Sequence, residues 1–150
     1  MNRILKDLEI KKITNKKIVL VGGCFDILHP SHHEFLKRAK QLGNILVVLL
    51  ESDENIRKLK GKGRPVNNQF TRAQNLSNSD NVDHVILLST PNSSGYYYNL
   101  VKSLRPDIIA VTKGDPFIKV KKDQAKLVGG KVVEVMERNL QHSSTELIEY

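Results

Sequence analysis

The 150-residue chain has no tryptophan, two methionines and one cysteine, and phenylalanine and tyrosine supply only four residues each. The single thiol, Cys24, excludes an intrachain disulfide and fits a reducing compartment. Long apolar runs are missing. The longest, Ile45 to Leu50, falls far short of the roughly 20 residues that a membrane helix needs. Met1 to Lys17 is studded with lysines and lacks the apolar stretch of a signal peptide, so the expectation is a cytoplasmic protein without a membrane partner. Acidic residues are outnumbered by basic ones, and the net charge of +8 points to anionic partners. Few aromatics are interleaved with the lysines, and neither a zinc-finger nor an RNA-recognition signature occurs. The basic residues therefore read as a solvated surface, and nucleic acid is not expected as a partner.

What is present is ordinary globular composition, 39% apolar and 27% charged, in a length suited to one domain over 1–150. The periodicity alternates between strand and helix. Strands are expected at 18–23, 45–50, 85–88, 107–111 and 131–136. Helices are expected at 30–42, 53–59, 68–78, 94–104, 115–128 and 143–150. Residues 1–16 read as a helical extension with Ile4, Leu5 and Leu8 on one face. Such alternation implies an α/β, Rossmann-like, doubly wound parallel sheet of five strands with helices on both faces. Ligands of such sheets bind beyond the carboxyl ends of the strands, where strand order reverses.

The first strand runs into Gly22-Gly23-Cys24-Phe25-Asp26-Ile27-Leu28-His29-Pro30-Ser31-His32. Pro30 suits a first helical position, so His29 and His32 sit at a helix mouth. Backbone amides there, and the positive end of the helix dipole, attract an anion. A glycine turn lets backbone approach phosphate closely, and imidazoles add donors that become cationic near neutral pH. The pattern predicts a polyphosphate site. A zinc reading needs two more ligands, and Cys24, His33, His84 and His142 lack zinc-like spacing, so no metal held by side chains is expected. His33 should face away from His32, toward solvent. Ser143-Ser144-Thr145-Glu146 fits a helix cap as well as a phosphate site. The Tyr96-Tyr97-Tyr98 run fits a core or dimer surface, or a platform for a base.

The set Gly23, Phe25, Asp26, His29 and His32 resembles the signature of the cytidylyltransferase-like nucleotidyltransferases. The likeness continues through Ser52-Asp53, Arg57 to Gly61, Arg64 to Asn67, Arg72 and Ser143 to Thr145, and is greatest to the adenylyltransferase domain of ADP-heptose synthesis enzymes. Glycerol-3-phosphate cytidylyltransferase and archaeal FAD synthetase share the first motif. Three departures are visible: Ser31 replaces the glycine of the histidine motif, Thr112-Lys113-Gly114-Asp115 shifts a lysine by one place, and Gln141-His142 precedes the serines. The resemblance implies transfer of a nucleoside monophosphate from ATP or CTP, with Mg²⁺ carried by the nucleotide, to a small phosphorylated acceptor such as a sugar phosphate. It also implies a homodimer. His29, His32 and Lys60 would be catalytic. Gly22, Gly23, Cys24, Phe25, Asp26, Arg64, Lys113, Gly114, Asp115, Ser143, Ser144 and Thr145 would bind nucleotide. The rival readings are CTP-dependent transfer to an alcohol phosphate, FMN adenylylation, and a regulatory nucleotide-binding domain without turnover.

Overall fold

A computed structural model describes residues 4–6, 15–90 and 95–137. Six parallel strands form one sheet in the order β1-β4-β3-β2-β5-β6. The strands are β1 (Ile4–Lys6), β2 (Ile18–Gly23), β3 (Ile45–Leu50), β4 (His84–Leu87), β5 (Ile108–Lys113) and β6 (Lys131–Glu137). The helices are α1 (Pro30–Lys40), α2 (Asp53–Lys60), α3 (Gln69–Ser77), α4 (Gly95–Leu104) and α5 (Ile118–Leu127). The expected parallel α/β architecture is present, with a sixth strand where a helical extension was expected. Ile4 and Lys6 pair with Val85 and Leu87 of β4. Ile4 packs on one face of the sheet and Leu5 on the other. Two adjacent apolar residues serving opposite faces satisfy a period of two, not the 3.6 of a helix. The final helix expected at 143–150 lies outside the described residues.

The chain fills β2, β3 and β4 toward one edge, then returns to place β5 on the other side of β2. The change of direction puts α1 and α3 on one face and α4 and α5 on the other. Val19, Val21, Phe35, Leu36, Ala73 and Leu76 make up much of the first core. Leu20, Val47, Leu49, Leu100, Leu104 and Ile109 belong to the second. Both faces of β3 are covered, which is why Ile45–Leu50 is apolar at every position. A Leu, Ile or Phe buried in this way contributes about 1.5–3 kcal/mol.

Local signals set the boundaries. Ser52 caps α2 by accepting from Asn55 N at 3.1 Å, and Asn68 caps α3 by accepting from Thr71 N at 2.9 Å. Helix α5 begins three residues later than the periodicity suggested, because Asp115 makes a turn. Its carboxylate accepts from Phe117 N at 2.7 Å and its carbonyl from Ile118 N at 3.2 Å. Gly43 is required by packing, since a Cβ there would lie 2.8 Å from Val19 Cγ2. None of the described helices is long and apolar enough to cross a membrane.

Candidate active site

Strands β2 and β5 are neighbours whose connections leave in opposite directions, so their carboxyl ends border the crevice of the sheet. Half-buried Gly22 and Gly23 close β2, in register with Leu49 and Leu50 of β3. The chain then turns sharply. Phe25 adopts φ +45°, a left-handed conformation that costs an aromatic residue roughly 1–3 kcal/mol. Complete burial of its ring in the α1–α3 core offsets that cost, and the ring meets His32 edge-on at 5.9 Å.

Asp26 is 1% exposed and serves as the anchor of this turn. Its carboxylate accepts from Val66 N at 2.7 Å, Asn67 N at 2.8 Å and Arg64 Nε at 3.1 Å. Asn67 Nδ2 returns a bond to the Asp26 carbonyl at 2.9 Å. The basic loop after α2 is thereby fastened to the glycine turn, which brings Arg64 to the site. Lys60, half-buried, ends α2 just before that loop, and Gly61 (φ +92°) and Gly63 (φ +86°) shape it. Through these contacts Asp26 organises the turn and the loop around it.

Arg72 was not among the expected site residues, although it tightens the same region. Fully buried on α3, it donates to Asn67 O (3.0 Å), Cys24 O (2.8 Å), Glu51 O (2.9 Å) and Asp53 Oδ1 (2.8 Å). One planar guanidinium thus joins the glycine turn, the end of β3, the start of α2 and the loop before α3. A single arginine inside a helical pattern gives no sequence sign of such a role beyond the family likeness already noted.

His29 is the N-cap residue of α1, and buried His32 is its third residue. His29 N donates to His32 Nδ1 at 2.9 Å, and the rings stack at 5.6 Å and 25°. Because Nδ1 accepts, the proton of a neutral His32 ring resides on Nε2, at the opposite edge of the ring. The two residues are locked to each other and to the positive end of α1. Ser31 is buried between them in sequence, at 9% exposure, and His33 is exposed as expected.

The expected residues Lys113, Gly114 and Asp115 lie at and just after the end of β5. Lys113 is exposed and lies 3.4 Å from Glu137 of β6. Gly114 takes φ +84° in an exposed turn. Asp115 is buried and bonded to Lys121 Nζ at 2.6 Å, which fixes the mouth of α5. None of the three has a described contact with the histidines. Ser143, Ser144 and Thr145 lie outside the described residues.

On the α4–α5 side of β2 is a cavity of about 340 Å³. Its wall includes the glycine turn, Leu20, Leu88 and Ile109 of the sheet region, and Tyr97, Val120 and Lys121 of the helices. Glu51, directly after β3, also faces it, and its backbone N donates to Gly23 O at 3.0 Å. Tyr97 Oη lies 3.0 Å from both Glu51 carboxylate oxygens and donates to them. Burial pushes the Tyr97 hydroxyl far up from its ordinary pKa, and the Glu51 charge adds to the rise, so it remains a donor at neutral pH. Tyr96 takes a different partner, accepting from Ser89 N at 2.7 Å. Sequence reasoning missed Glu51; its available signal was a carboxylate at the carboxyl end of a wholly apolar strand.

Among the described residues no group of three or more His, Cys, Asp and Glu side chains could hold a metal ion. Asp26, the acid beside the glycine turn, is committed to Arg64 and two backbone amides.

The cytidylyltransferase-like family matches residues 20–150, which contain the glycine turn, both histidines and the cavity wall. The chain belongs to that family. Over 114 residues it is 43% identical to the bifunctional protein HldE of a Nitratiruptor species, covering 75% of this chain and 22% of that protein. Over 146 residues it is 38% identical to the bifunctional protein HldE of Syntrophotalea carbinolica, covering 95% of this chain and 28% of that protein. The chain therefore spans less than a third of the length of these relatives. Among solved structures it is similar to the lipopolysaccharide core biosynthesis protein from Thermoplasma volcanium, with a TM-score of 0.69 and 28% identity over 83% of this chain and 100% of that one. The pantothenate synthetase from Thermus thermophilus, at a TM-score of 0.61 and 13% identity over 90% of this chain and 62% of that one, shares the fold alone. Of the six strands of this cytidylyltransferase-like chain, only β1 lies wholly outside the matched residues.

Proposed function

We propose that the chain transfers AMP from ATP to a small phosphorylated acceptor, a sugar phosphate, with release of pyrophosphate. An acceptor phosphate oxygen attacks the α-phosphorus, the new P–O bond forms, and the bond to the β-phosphate bridging oxygen breaks. An ionised phosphate is its own nucleophile at neutral pH, so the step needs neither an enzyme base nor a covalent intermediate. Catalysis then consists of positioning and charge stabilisation.

The observation that carries the reading is the locked His29–His32 pair at the mouth of α1, beside the glycine turn at the switch point. His32 Nε2–H and the helix end are matched to a polyphosphate, and the neighbouring Arg64 brings cationic charge. Lys60 would reach the same phosphates from the end of α2, and Ser143, Ser144 and Thr145 would serve the β- and γ-phosphates. Mg²⁺ is held mainly by phosphates in such sites and would arrive with the nucleotide. ATP and the sugar phosphate rest on the likeness to the adenylyltransferase domain of ADP-heptose synthesis enzymes. With the reading go a homodimer and a cytoplasmic setting, supported by the same likeness and by a buried, solitary cysteine.

The test is pyrophosphate release from ATP and from CTP, each against a panel of phosphorylated acceptors, with the wild-type chain and the His32→Ala variant. Turnover with ATP and a sugar phosphate, abolished in the variant, is the expected result. Nucleotide binding without turnover across the panel would replace the enzyme by a regulatory domain. Equal turnover in the variant would remove the histidines from the mechanism.

A further inference from the structure

We propose that the cavity on the α4–α5 side is where the acceptor's hydroxyl-bearing body binds, and that Glu51, positioned by Tyr97, reads those hydroxyls. The inference rests on the reading above and assigns a specificity-determining residue to it.

Three observations converge on that assignment. The first is position. Glu51 is one hydrogen bond from Gly23, on the opposite face of β2 from the histidine pair. In-line displacement sets the entering and leaving oxygens on opposite sides of phosphorus. With pyrophosphate leaving toward His29 and His32, the acceptor enters from the cavity side.

The second is charge. Among the described residues Glu51 is the one carboxylate on the cavity wall, and the one cation there, Lys121, is already engaged by Asp115 at 2.6 Å. Beyond the glycine turn, a wall with that balance does not attract phosphate. It therefore takes the uncharged part of a ligand and leaves the phosphates to the histidine side.

The third is unsaturated bonding capacity. A carboxylate offers roughly four acceptor positions, and one tyrosine hydroxyl carries a single hydrogen. Tyr97 lies equally far, 3.0 Å, from both oxygens, so it holds the group centrally with its remaining acceptor positions unfilled by any described side chain. A pair of hydroxyls fills such positions. The leucines around it and the Tyr97 ring suit the C–H face of a sugar. At about 340 Å³ the space falls within the range of small-ligand sites.

The experiment uses the intact chain and two readouts. Saturation-transfer NMR and calorimetric titration measure binding of mannose 1-phosphate, ribose 5-phosphate and glycerol 3-phosphate, with phenyl phosphate as a hydroxyl-free control. The same chain is titrated separately with ATP. The expected result is that at least one polyol phosphate binds more tightly than phenyl phosphate. Glu51→Gln then weakens that polyol phosphate by roughly 10–100-fold, with ATP affinity and thermal midpoint unchanged. Tyr97→Phe keeps the ring, releases the carboxylate, and gives a smaller loss in the same direction. Phenyl phosphate binding as tightly as every polyol phosphate overturns the proposal, and so does an unaltered acceptor affinity in Glu51→Gln. Loss of ATP affinity in that variant also overturns it, because the cavity would then hold the nucleoside. The two readings fail separately. Absence of pyrophosphate release with any NTP, alongside Glu51-dependent polyol binding, sinks the transferase and leaves the pocket. Turnover indifferent to Glu51 sinks the pocket and leaves the transferase.

Discussion

On the α1–α3 side of β2, polar groups at the end of the sheet are bonded to one another. Asp26 holds the loop from Arg64 to Asn67, Arg72 spans four segments, and His29 holds His32. On the α4–α5 side of the same strand end, the surroundings are mostly hydrocarbon around a cavity whose polar side chains are Asn55, Lys121, Gln124 and the bonded Glu51–Tyr97 pair. On the proposed reading, the difference is one of what each side would fix. Charges on a polyphosphate are stabilised only by donors that do not reorganise, and dense mutual hydrogen bonding supplies that rigidity. A neutral acceptor body is selected by shape and by a small number of polar contacts, for which apolar walls with one unsaturated group suffice.

The comparison breaks most readily at Arg72. Arg72→Met should cost about 3–5 kcal/mol, because it leaves the carbonyls of Asn67, Cys24 and Glu51 without their donor, whereas Asp53, about a third exposed, is rehydrated. In a chain of this length that is a fall of about 10 °C in thermal midpoint, read by calorimetry. A midpoint near wild type would show that the bonded side owes its rigidity to something else.

His32→Ala should lower kcat by about 10²–10³, equivalent to roughly 3–4 kcal/mol of transition-state stabilisation. The loss is read as pyrophosphate release. A loss of stability with kcat preserved would make His32 a packing residue.

Asp26→Asn should destabilise by about 2 kcal/mol, the scale of hydrogen bonds to a charged acceptor. Faster hydrogen exchange at the amides of Val66 and Asn67, which now donate to Asp26, would localise the effect. Exchange that speeds up evenly across the sheet would argue against a local fastening.

The smallest effect on stability belongs to the cavity side and appears in alkali. Tyr97 ionises at higher pH when folded than when unfolded. Above the ordinary tyrosine value of about 10 the unfolded chain has lost that proton and the folded chain still holds it, so stability falls as pH rises through this range. Below it the contribution is complete. Tyr97→Phe should flatten that alkaline decline, measured as denaturant midpoints above about pH 10 against about pH 8. An equally steep decline in the variant would mean that other groups govern it.

Much of this was legible in the chain itself. Five strands and the helices between them followed from apolar runs separated by amphipathic stretches, because a sheet covered on both faces leaves an unmistakable pattern such as Ile45–Leu50. The glycine turn and the histidines at the helix mouth were legible because they are contiguous, and Pro30 marks where the helix begins. Strand β1 was not, since three residues are too few to show a period, and Ile4 and Leu5 become strand only by pairing with β4. The partners of Lys113 and Asp115, which are Glu137 and Lys121, were not legible either, since Glu137 lies on a separate strand and Lys121 a turn into α5.

The sequence by itself determined the order of elements from β2 onward and the placing of the histidines at the mouth of α1, because those depend on neighbours along the chain and on local backbone preference. Only the tertiary structure decided that Arg72 would stand beneath Cys24, that Asp26 would fasten the loop from Arg64 to Asn67, and that Glu51 would meet Tyr97 from 46 residues away. Those contacts arise where separate strands and helices are brought together by burial of their apolar faces, and hydrophobic burial does not record in sequence which polar groups it will place side by side.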